Sequence, residues 1–187
     1  MKEGGFKEAP KFPMGSAFDL LIDVYTITKD KEIKKRIDLT FEKMAKGGIF
    51  DQIEGGFYRY STDNKWEVPH FEKMLYNNAN LPLIYLRWYK HTKNPLFKEV
   101  AFRSLDEFIK KYRDTSGLFF SVSNADSEGA EGKYFVYSYD EVNRAFSEFE
   151  NKEELLKEMY EDKFYHSYNK NKNAKKRSPF RRLRLFY

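Results

Sequence analysis

The chain has 187 residues, 18% of them aromatic, which suffices for one ordinary domain with a real core; the lack of cysteine excludes disulfides, thiolate metal sites and thiol nucleophiles. The formal net charge of +5 misleads, because nine Lys or Arg and no acid follow Asp162, leaving 25 basic against 29 acidic residues over 1–162, so that nucleic acid is not an expected partner of the globular part. No run approaches the roughly 18 apolar residues of a membrane span, Met1 leads into Lys2-Glu3-Gly4-Gly5 rather than an apolar stretch, and the missing cysteine accords with a reducing cytoplasm.

Phe18, Leu21, Ile22 and Tyr25 recur at i, i+3, i+4, i+7 and predict a first amphipathic helix after Pro13. Asp30 is the expected N-cap of a second, with Ile33, Ile37, Phe41 and Met44 on one face; Gly47-Gly48 is expected to end it with a left-handed cap. A third helix is predicted from about Phe71 to His91, with Pro82 inside it. Asn94-Pro95 opens a fourth, burying Phe97, Ala101, Leu105, Phe108 and Tyr112. Ser138-Tyr139-Asp140-Glu141 has capping-box spacing and starts a fifth; Leu155, Leu156, Met159 and Tyr160 suggest a sixth.

The connections alternate in length. Short links near Lys29 and Lys93 make neighbouring helices antiparallel, and the long ones, about Gly48–Pro69 and Arg113–Ser138, then emerge on the same side. Runs at Phe57–Tyr60, Phe119–Val122 and Tyr134–Tyr137 predict short β-hairpins on that rim. The expected class is all-α with short hairpins in the loops, either an α/α toroid or an irregular bundle.

Several motifs occur in order: Gly4-Gly5-Phe6, Ala9-Pro10-Lys11-Phe12-Pro13, Gly48-Ile49-Phe50-Asp51-Gln52, Gly55-Gly56-Phe57-Tyr58-Arg59-Tyr60-Ser61, Val68-Pro69-His70-Phe71-Glu72-Lys73-Met74-Leu75-Tyr76 and Asp126-Ser127-Glu128-Gly129-Ala130-Glu131-Gly132. Over roughly Gly4 to Phe146 they resemble the bacterial YyaL family, related to the spermatogenesis-associated protein 20 group. The resemblance implies an (α/α)6 toroid of the six-hairpin glycosidase type, preceded in family members by a thioredoxin-like domain. It implies a partial toroid over residues 1–162, with about half of the expected hairpins and without the thioredoxin-like domain. Residues 163–187 then form a basic tail, disordered or out of frame. The implied partners are a small sugar or sugar-like ligand and either the missing half of the toroid or a thioredoxin-like domain.

Sugars are held by stacking on aromatics and by hydrogen bonds from planar polar groups. The first long loop offers Phe57, Tyr58, Tyr60 and Trp66 as platforms, with Asp51, Gln52 and Arg59 for hydroxyls or carboxylates; each aromatic could equally pack the loop onto the helices. His70, placed at the start of the third helix, is read either as a general acid or base or as a brace of the helix end, with Glu72 stabilising the same end. Lys73, Tyr76 and Asn77 follow it as binding candidates. Asp126, Glu128 and Glu131 supply carboxyls, Asp126 and Glu128 for acid/base hydrolysis of a glycosidic bond and Glu131 for binding, unless they serve ordinary turns. No Ca²⁺-loop or nucleotide-loop spacing occurs, so neither metal nor cofactor is expected.

Overall fold

The computed structural model describes residues 2–159, so the expected basic tail at 163–187 and Tyr160 of the sixth helix lie outside the described residues. The helices of the first unit are α1 (Gly15–Thr28), α2 (Lys31–Lys46), α3 (Leu75–Thr92) and α4 (Pro95–Lys111). Between and after them run β1 (Tyr60–Ser61), β2 (Pro69–His70), β3 (Lys73–Met74) and β4 (Val122–Ser123). A second compact unit begins at Asp126, with β5 (Asp126–Ser127), β6 (Ala130–Glu131), α5 (Tyr139–Ala145) and α6 (Lys152–Met159).

Local chemistry sets the helix ends. The Asp30 carboxylate accepts from the N–H groups of Glu32 and Ile33, and Asn94 accepts from Leu96 N–H ahead of Pro95. Ser138 and Glu141 exchange the bonds of a capping box. The left-handed C-caps fall on Lys29 (φ 54°) and Lys93 (φ 57°), not on glycine. Gly47 instead is extended, with φ −89° and ψ 171°. It and Gly48 are required by close approach: a Cβ on Gly47 would stand 2.4 Å from the Trp66 carbonyl oxygen, and one on Gly48 2.0 Å from that of Glu67.

The hairpins α1/α2 and α3/α4 lie side by side, α1 against α3 and α2 against α4. Gly15 lets α1 approach closely, since a Cβ there would meet the Ile84 Cδ1 at 3.0 Å. The interior is aromatic. Phe41 of α2 stacks on Tyr85 of α3 at 4.4 Å, meets Phe18 of α1 edge-on at 5.1 Å and Phe97 of α4 at 6.0 Å. The buried Tyr85 hydroxyl donates to the Phe41 carbonyl at 2.9 Å, and burial pushes its pKa well up.

Three segments meet at the end where α1 and α3 begin. Lys11 pairs with Ser61 on one side of β1, and β2 pairs with β1 on the other. The second long crossover joins through β4, which pairs with β3, and through Leu75 N–H donating to the Ser121 carbonyl at 2.9 Å. As far as Ala125, therefore, both crossovers do reach one end of the helices. Tyr134 and Phe135 lie in a turn and not in a strand.

Candidate functional site

Lys73 anchors the first loop. Its side chain is fully buried, and Nζ lies 2.8 Å from both the Asp51 carboxylate and the Gly55 carbonyl. Asp51 also accepts from the Tyr58 hydroxyl at 3.2 Å and from the N–H groups of Ile53 and Glu54. Burial first, then the Asp51 charge, pushes the Tyr58 pKa well up. Asn78 of α3 grips Phe57, accepting from its N–H and donating to its carbonyl, and the Gln52 amide donates to the carbonyls of Ala45, Gly47 and Phe50 at the end of α2. Phe57 and Trp66, expected as sugar platforms, are fully buried and present no face to solvent. Trp66 donates from Nε1 to the Glu3 carbonyl and carries the Lys11 ammonium 4.6 Å above its ring. Asp51, Gln52, Phe57, Trp66 and Lys73 thus build the loop from inside.

Glu107 of α4 faces the same ammonium at 3.6 Å, beyond hydrogen-bond reach, and its Oε1 has no hydrogen-bond partner. Burial outweighs the attraction of Lys73 and raises its pKa above the ordinary 4.5. Such a carboxyl stabilises the fold fully only below its unfolded pKa, and that contribution is lost as pH rises through the folded one. Denaturant titrations from about pH 4 to about pH 8 should therefore show the wild type losing stability relative to Glu107→Gln. A difference that stays constant with pH would contradict this.

Other expected residues do come together at the surface. His70 does not start a helix: it ends β2, where it pairs with Tyr60, the chain bends at Phe71, and Lys73–Met74 form β3 before α3 begins at Leu75. The reason is tertiary, because Lys73–Met74 gains a strand partner in β4 that a helical first turn would forfeit. The His70 ring stacks on Tyr60 at 4.9 Å and 16°, and Phe12, next to Lys11 on the other side of β1, lies 5.0 Å from Tyr60. Phe12, Tyr60 and His70 form a row, with Phe12 40% exposed.

Beside that row, Arg59 Nη1 donates to Glu72 Oε2 at 2.9 Å, and Arg59 N–H donates to the Glu72 carbonyl at 2.7 Å. Tyr76 stands half exposed at the start of α3, and first Glu72, then Tyr76, raise the Arg59 pKa. Asn77 donates to the Arg59 carbonyl at 3.3 Å, and the His70 Nε2 stands 3.9 Å from the Glu72 carboxylate. Arg59, Tyr60, His70, Tyr76 and Asn77 are hence one cluster, joined by Glu72 and Phe12.

Asp126, Glu128 and Glu131 belong to the second unit. Asp126 and Glu131 are register partners across β5 and β6. Glu128 and Gly129 form the two-residue turn between those strands, at φ 49° and 77°, the signs of a type I′ hairpin, and Glu128 pairs with Lys133. Among the described residues no three or more His, Asp or Glu side chains are grouped so as to hold a metal ion, and no helix is long and apolar enough to cross a membrane.

No protein-family profile matches the chain. It is 36% identical over 155 residues to spermatogenesis-associated protein 20 of Mus musculus and 37% identical over 155 residues to that of Homo sapiens. Each alignment covers 78% of this chain and 20% of the relative, so the chain spans about a fifth of the length of the curated relatives it matches. A sugar epimerase from a ruminal bacterium superposes with a TM-score of 0.53 at 12% identity, over 83% of this chain and 40% of that one. Cellobiose 2-epimerase from Bacillus thermoamylovorans superposes with a TM-score of 0.53 at 15% identity, over 85% of this chain and 36% of that one. At such identities the likeness establishes the fold, part of an α/α toroid with short hairpins in its loops.

Proposed function

Because the chain belongs to the spermatogenesis-associated protein 20 family over its aligned residues, and folds as part of an α/α toroid, we propose that it supplies the loop-bearing rim of a carbohydrate site. The observation that carries this reading is the row Phe12–Tyr60–His70 beside the Arg59–Glu72 pair, at the end where α1 and α3 begin. Aromatic faces next to hydrogen-bonding planar groups are what a pyranose ring needs, one for its C–H face and the other for its hydroxyls. Both structural neighbours are named for acting on sugars, which supports the ligand class. His70 is then the acid/base candidate of this cluster. Asp126 and Glu128 remain candidates for acid/base work and Glu131 for binding, all from the second unit. In that role the chain is a partial site that the rest of a longer toroid completes.

Titration with cellobiose and its monosaccharide, followed by calorimetry, tests the reading. Binding in the millimolar range is expected, weakened at least tenfold by Tyr60→Ala, which removes the middle ring. Equal binding by wild type and variant would place the sugar elsewhere; no binding to either would remove the proposal.

A second reading makes the chain an interaction module for the remaining toroid helices or a thioredoxin-like domain. Leu20 and Ile27 of α1 and Leu83 of α3 favour it, standing exposed on helices tied together by Arg87 to Asp19 and Asp23. A partner captured equally by wild type and Tyr60→Ala, with no sugar bound, would favour this module.

A further inference from the structure

Granting the carbohydrate reading of the rim, we infer that this cluster selects uncharged sugars and turns away acidic ones, with Glu72 as the specificity-determining residue. Arg59 looks at first like a carboxylate receptor. Its charge is already paired: Nη1 donates to Glu72 Oε2 at 2.9 Å, while the buried Nε has no hydrogen-bond partner among the described residues. The backbone of the partner is fixed as well, because the Glu72 carbonyl accepts from Arg59 N–H at 2.7 Å and Glu72 N–H donates to the His70 carbonyl at 2.8 Å. Main chain and side chain therefore hold the same pair in register.

An incoming uronate or phosphate has two options. It can displace Glu72, leaving a carboxylate whose side chain is only 22% exposed without its partner, or it can bind beside Glu72 and meet like charge. A hydroxyl meets neither cost. It donates to the carboxylate and accepts from the guanidinium, so one ion pair reads both polarities of an uncharged ring substituent. The charged side chains of the cluster sum to zero, one Arg and one Glu, beside the imidazole of His70.

The test compares methyl β-glucoside with glucuronate by calorimetry at pH 8. Wild type should bind the glucoside and bind glucuronate at least tenfold more weakly. Glu72→Gln keeps the shape, releases the guanidinium and should raise glucuronate affinity at least tenfold, removing the preference. Arg59→Met should widen the exclusion, since it leaves the carboxylate and removes the cation. Wild-type preference for glucuronate, or a preference ratio unmoved by Glu72→Gln, would overturn the inference while leaving a sugar site standing. Binding of neither sugar would overturn both, and circular dichroism separates that outcome from a variant that fails to fold.

Discussion

Replacing Lys73 with Met should destabilise the first unit by about 3–5 kcal/mol, the cost of stranding a buried charge by removing its partner. The ammonium is fully enclosed and serves the Asp51 carboxylate, the Gly55 carbonyl and, at longer range, Glu107. Without it, Asp51 keeps the Tyr58 hydroxyl and two main-chain N–H groups but no counter-charge within the loop's interior. The methionine fills most of the volume, so the loss reads on charge and hydrogen bonding more than on packing. Urea titration of the wild type, Lys73→Met and Lys73→Met/Asp51→Asn checks this. Part of the loss should return in the double variant, where no carboxylate at position 51 is stranded. A loss under about 1 kcal/mol in the single variant would mean that Lys73 does not anchor the loop.

Trp66→Ala should cost about as much, some 3–5 kcal/mol, for a different reason. The indole is fully buried under the N-terminal segment, donates to the Glu3 carbonyl and lies beneath the Lys11 ammonium. Truncation opens a cavity there and removes the contact that seats residues 3–11 on the loop. Lys11 pairs with Ser61 and precedes Phe12, so the damage should pass to the ring row. Trp66→Ala is therefore expected to lose sugar binding at temperatures where circular dichroism still reports helix. Trp66→Phe, which keeps much of the ring, should retain more of both. Full binding by the alanine variant would show that Phe12 needs no support from this contact.

The fold was legible where periodicity and caps are strong. Asp30, Asn94-Pro95 and the Ser138–Glu141 capping box fall where their spacing puts them, and the alternating loop lengths foretell two hairpins with both crossovers at one end. What local sequence could not decide was set by distant partners. Residues 71–74 have enough helical character to extend α3, yet strand pairing with Val122–Ser123 holds Lys73–Met74 extended. Gly47 and Gly48 announce the end of α2, but the cause is the carbonyls of Trp66 and Glu67, far along the chain.

The site was legible as a neighbourhood more than as a set of roles. Aromatic and polar residues crowd 51–77, and composition cannot say which of them turn inward. Strand register sorts them: Tyr60 and His70 are cross-strand partners with rings stacked, while Phe57 points into the aromatic core beside Tyr85. Arg59 proves to be ion-paired within the chain, by a Glu that sequence reading assigned to a helix end. Asp126 and Glu131 are register partners on a hairpin with a two-residue turn, a juxtaposition that their five-residue separation does not announce.

The most direct measurement is a map of amide chemical-shift changes as cellobiose is titrated into the isotope-labelled chain. The account predicts saturable shifts centred on Phe12, Arg59–Tyr60, His70–Glu72 and Tyr76–Asn77, abolished by Tyr60→Ala. Shifts confined to residues outside that cluster, or none at saturating sugar, would contradict it.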